Sequence, residues 1–156
     1  MNEIIKNQDK ELQEVIYKAP ALLTLYAVSH RNKNLEPMEE RAAAIYLSVL
    51  CNQGPDEFQD FFREVNKTFG NDLSYLNEVL PKGQEERKTE IENRLLPVKR
   101  FINELSEEQG VVFKDALLGF ITHAKSAVGE TLESVMLPFI SDNLRKIEDE
   151  RMRGIL

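Results

Sequence analysis

Acids and amides gather between two apolar runs, at Asn32, Asn34, Glu36 and Glu39, and oxygen donors in such a cluster are what a hard cation would use. Calcium asks for about six to eight oxygens, several of them ionised. Arg31 and Lys33 stand among these donors and repel a cation, so Asn32, Glu36 and Glu39 make a weak ligand set and no bound metal is expected. A second stretch, Ser126, Glu130 and Glu133 beside Lys125, fails for the same reason.

The remaining reactive side chains point away from catalysis. His30 closes an apolar run, where an imidazolium suits a helix C-terminus, and His123 lies inside an apolar helical pattern, as a residue at the border of a core does. No Glu-x-x-His spacing occurs, so the carboxylate and histidine set of a di-iron bundle is missing. Cys51 has no histidine close in sequence and reads as a small buried apolar residue. A Gly-rich phosphate loop, paired-cysteine metal spacing and a serine nucleophile elbow are all lacking. The expectation is a protein without catalytic residues or cofactor.

Such residues must be carried on something, and the composition allows a sizeable core. The 156 residues are 42% hydrophobic and 30% charged, which fits one domain spanning 1–156. A net charge of -7 opposes nucleic acid and anionic membranes, since affinity for either starts with clustered lysine and arginine. No stretch approaches the roughly 18 to 20 apolar residues that cross a bilayer, so no direct membrane insertion is expected. The opening MNEIIKNQDKE has no long apolar core or small-residue cleavage site, and one cysteine cannot form an internal disulfide; together these predict a cytoplasmic chain.

Apolar residues recur at helical spacing almost throughout, and no run alternates strictly, so the fold class is all-α. A first helix is predicted over about Asp9 to Lys18, and Pro20 opens a second that runs to about Ser29. Pro37 opens a third, carrying Ala43, Tyr46, Leu47 and Leu50 and ending at Asn52-Gln53-Gly54. The fourth shows Phe58, Phe61, Phe62, Val65 and Phe69 on one face, an aromatic density that marks the centre of a core. Gly70-Asn71-Asp72 then separates a short fifth helix with Leu73, Leu76, Val79 and Leu80, and Pro81-Lys82-Gly83-Gln84 is the clearest break. The sixth, about Glu85 to Leu105, holds Pro97, which predicts a kink or break near Leu95; Glu90 and Arg94 lie one turn apart on its solvated face. Ser106-Glu107-Glu108-Gln109 has the form of a capping box and starts a helix that stops near Gly129. A last helix carries Leu132, Val135, Met136, Phe139, Ile140, Leu144 and Ile147 with a bend at Pro138, and the charged end DERMRGIL is expected to fray.

One pattern occurs twice. ALLTLYAVSHRNKNLEPMEERAAA from Ala21 and, more faintly, ALLGFITHAKSAVGETLESVML from Ala116 each run an apolar helix into a polar loop and restart on a Glu-bearing helix. The segment from Tyr17 to Ala44 resembles the first half of the tellurite-resistance TerB-like proteins, in which an apolar helix meets an Asp-Gly-x-Ile-x-x-x-Glu loop followed by an Ala-rich helix. Leu35 matches the apolar loop position and Glu39 the closing acid, whereas Asn32 and Lys33 replace the Asp and Gly. Phe113 to Glu133 resembles the start of the second half, with Ala124 to Gly129 standing where that family has an Ala-Ser-Gly-Gly-like turn. The resemblance implies a multihelical array of two helical repeats, about 9–80 and 84–150, related by a pseudo-twofold axis. It further implies a domain tied to membrane-stress and metal-resistance systems that binds metal or partner proteins.

The leading functional expectation is a non-enzymatic helical module acting through protein contacts, with a homodimer as one option. The alternative is a small-ligand or metal-ion sensor using the groove between the halves; a third class is an enzyme without a recognisable motif. The stripe Ile91, Leu95, Val98 and Ile102 has the narrow four-three-four spacing of a helix-pairing seam, so its exposed members are candidates for the floor of a partner groove. The competing reading is that this stripe closes the chain's own core.

Overall fold

The computed structural model describes residues 2–29, 35–129 and 154–156. Within them lie α1 (Asn2–Lys6), α2 (Lys10–Val28), α3 (Pro37–Gln53), a 3-10 turn (Asp56–Phe58), α4 (Gln59–Val79), α5 (Gln84–Glu104) and α6 (Glu107–Gly129). No strand occurs among the described residues.

The helix starts follow local chemistry. Asp9 caps α2 by accepting the Leu12 N–H at 2.8 Å. Pro37 opens α3, and the carboxylate of Glu39 reaches back to the Glu36 N–H at 2.8 Å. Ser106 accepts the Gln109 N–H at 3.2 Å, which is the serine half of the capping box. The glutamine half is spent elsewhere: its amide points to Glu57 at 3.4 Å, tying the start of α6 to the turn before α4.

Three expected interruptions do not interrupt. The two helices divided before Pro20 are one helix, α2, because residues Ala19 to Ser29 are buried and that packing outweighs the lost ladder bond. Gly70 lies within α4, since the apolar stripe Phe61, Phe62, Val65, Phe69, Leu73 and Leu76 continues across it in register. The helix α5 likewise continues through Pro97. The helix α6 reaches Gly129, as the residue pattern predicts, and is helical over Ala124 to Gly129, where the family resemblance implied a turn. The last predicted helix lies outside the described residues. The end departs from expectation too, because Ile155 and Leu156 are buried rather than frayed.

The helix α2 occupies the centre and packs against α4, α5 and α6, while α3 packs on α4 and α6. Two phenylalanines two turns apart on α6 knit the aromatic core. Phe113 stacks on Phe58 at 4.8 Å between ring centres and meets Phe61 edge-on at 5.2 Å, with Phe101 at 6.2 Å. Phe120 meets Tyr46 edge-on at 4.9 Å and lies against Phe69 at 5.8 Å and Phe62 at 6.3 Å.

The approach of α3 to α6 depends on Gly119, where a Cβ would overlap the Tyr46 ring and hydroxyl. By contrast, a Cβ at Gly70 would meet open space. Opposite signs are therefore expected for the same change. Gly119→Ala should destabilise by about 1–3 kcal/mol through overpacking, while Gly70→Ala should stabilise by about 0.5–1 kcal/mol by restricting the unfolded chain. Urea denaturation of both variants, with Gly119→Ala repeated in a Tyr46→Ala background where the penalty should vanish, tests this.

Candidate functional site

Of the residues named as weak metal donors, Glu36 and Glu39 lie within the described residues. Asn32 lies outside the described residues, as do Glu130, Glu133 and His30. Glu36 is exposed, while Glu39 is 1% exposed and engaged as the α3 cap. Among the described residues no three of His, Cys, Asp or Glu come together as a metal-binding group.

Packing engages the other reactive residues among those described. The Cys51 thiol is buried, and loss of solvent pushes its pKa up against the opposing effect of Arg63, so the thiolate is disfavoured. His123 is exposed and stacks on Tyr46, with ring centres 4.3 Å apart and planes 20° from parallel. The Tyr46 hydroxyl donates to the Ala116 carbonyl at 2.6 Å, and burial, with a smaller effect from Asp115, pushes its pKa up to about 12. A phenol held neutral and committed to a backbone carbonyl ties α3 to α6 and is no base.

The proposed groove floor is not at the surface. Ile91, Leu95, Val98 and Ile102 are at most 5% exposed and belong to the chain's own core. Their spacing marks a buried helix face, and spacing alone does not tell which partner covers it. Glu90 and Arg94 do pair one turn apart, at 2.9 Å.

Arg87 is a buried cation that the sequence pattern did not single out. Its guanidinium donates to Pro81 O at 2.8 Å, Asn77 Oδ1 at 2.9 Å and Asn77 O at 2.8 Å. It thereby satisfies the Asn77 carbonyl near the end of α4 and the Pro81 carbonyl beyond it, and holds the turn into α5. Burial lowers its pKa from the usual guanidinium value.

Exposed apolar residues occur on α3, as they do at Tyr75 and Val79 on α4, Leu96 on α5 and Val111 on α6. Met38, Ile45 and Val49 are 61%, 56% and 45% exposed, opposite the buried Ala43, Leu47 and Leu50. Arg41, Ala44, Ile45, Ser48, Val49 and Asn52 line a shallow depression of about 360 Å³. The signal was present in the sequence as apolar residues left over once the core stripe of this helix had been assigned.

Two outcomes follow from these geometries. Glu39→Ala should lower stability by about 1 kcal/mol through loss of the helix cap, equally with and without added calcium, in paired thermal melts. Tyr46 should set an alkaline limit. Its folded-state pKa near 12 lies above the ordinary 10.0, so its contribution is intact below pH 10 and is lost as pH rises towards 12. Denaturation between pH 9 and about 12 should show a steeper fall for the wild type than for Tyr46→Phe.

Comparison with family models, with curated proteins and with solved structures returned no match.

Proposed function

We propose that this chain is a non-enzymatic helical interaction module, TerB-like in body, with two helical repeats related by a pseudo-twofold axis, working in the cytoplasm. The residues that support a TerB-like body are the Leu35 and Glu39 loop positions and the two ALL-initiated segments. A single cysteine, which cannot form an internal disulfide, is what supports a reducing compartment.

One observation carries the interaction reading: α3 turns Met38, Ile45 and Val49 outward, on the side opposite its buried Ala43, Leu47 and Leu50. The occupant we assign is an amphipathic helix of a partner protein with an acid placed to face Arg41. Arg41 is the charged side chain lining the depression, on a chain of net charge -7, so it sets the register by attraction. Ala44 and Ser48, one turn apart and small, let a helix backbone come close. A role in stress or metal-resistance systems belongs to the same proposal and rests on the resemblance alone.

The test compares wild-type protein with Ile45→Glu/Val49→Glu in affinity capture from the native cell. The exposed pair should leave the melting temperature within about 2 °C, since surface changes stay near ±0.5 kcal/mol. A protein held by the wild type should be lost by the variant. A peptide of its docking helix should then bind purified wild type, about tenfold more weakly to Arg41→Glu, and recover when the facing acid becomes lysine. Capture of the same proteins by wild type and variant would refute the reading.

A further inference from the structure

We draw no further inference here: the strongest candidate, the exposed surface patch of Tyr75 and Val79 on α4 with the Lys18 ammonium of α2 5.9 Å from the centre of the Tyr75 ring, is an unpartnered helix face, and nothing in the structure shows what covers it.

Discussion

The fold depends on a helix that has no solvent side over its second half. From Ala19 to Ser29 every residue of α2 and its cap is buried. A helix enclosed in this way has to be apolar all round, and any polar atom it carries must find a partner nearby. Thr24 donates its hydroxyl to the Pro20 carbonyl at 2.8 Å, and Ser29 donates to the Tyr26 carbonyl at 2.7 Å. The Tyr26 hydroxyl donates to Glu92 on α5 at 3.1 Å. With these side-chain groups satisfied, α4, α5 and α6 close around α2, and the ladder bond lost at Pro20 is the remaining local cost.

That enclosure also determines what α3 can do. Because α4, α5 and α6 cover α2, α3 rests on α4 and α6, and one flank is enough to hold it. The close approach at Gly119, the Tyr46 hydroxyl on the Ala116 carbonyl and the contact of Tyr46 with Phe120 fix its inner side. Its outer side is then free to carry Met38, Ile45 and Val49 into solvent. The same arrangement explains why the polar residues near this helix do structural work. Glu39 caps its start, and Cys51 fills space near its end.

The hairpin from α4 into α5 shows the complementary device. A tight turn leaves carbonyls without ladder partners, and Arg87 donates to two of them, those of Asn77 in α4 and Pro81 in the turn, while its third hydrogen bond holds the Asn77 side chain. Lys82 adds another to the Asn77 carbonyl at 2.7 Å. A cation at a helix C-terminus is also favoured by the dipole, so the only charge needed there is positive. This lets α5 start at once and bring the Ile91 to Ile102 stripe onto α2.

The sequence by itself determined the all-helical class and the element edges that rest on local chemistry. Pro37, Gly54, the Pro81 to Gly83 break and Ser106 mark ends because ring geometry, missing side chains and capping oxygens act within a few residues. It also showed the core faces of α3 and α4, whose periodicity is a local property. Only the tertiary structure decided the strength of the interruptions at Pro20, Gly70 and Pro97, because burial of a continuous apolar face is a non-local gain that outweighs a local helix penalty. It alone placed Ile91, Leu95, Val98 and Ile102 inside, left Ile45 and Val49 outside, and buried Ile155 and Leu156. An apolar residue at helical spacing asks to be covered, and what covers it is a matter of which helices meet.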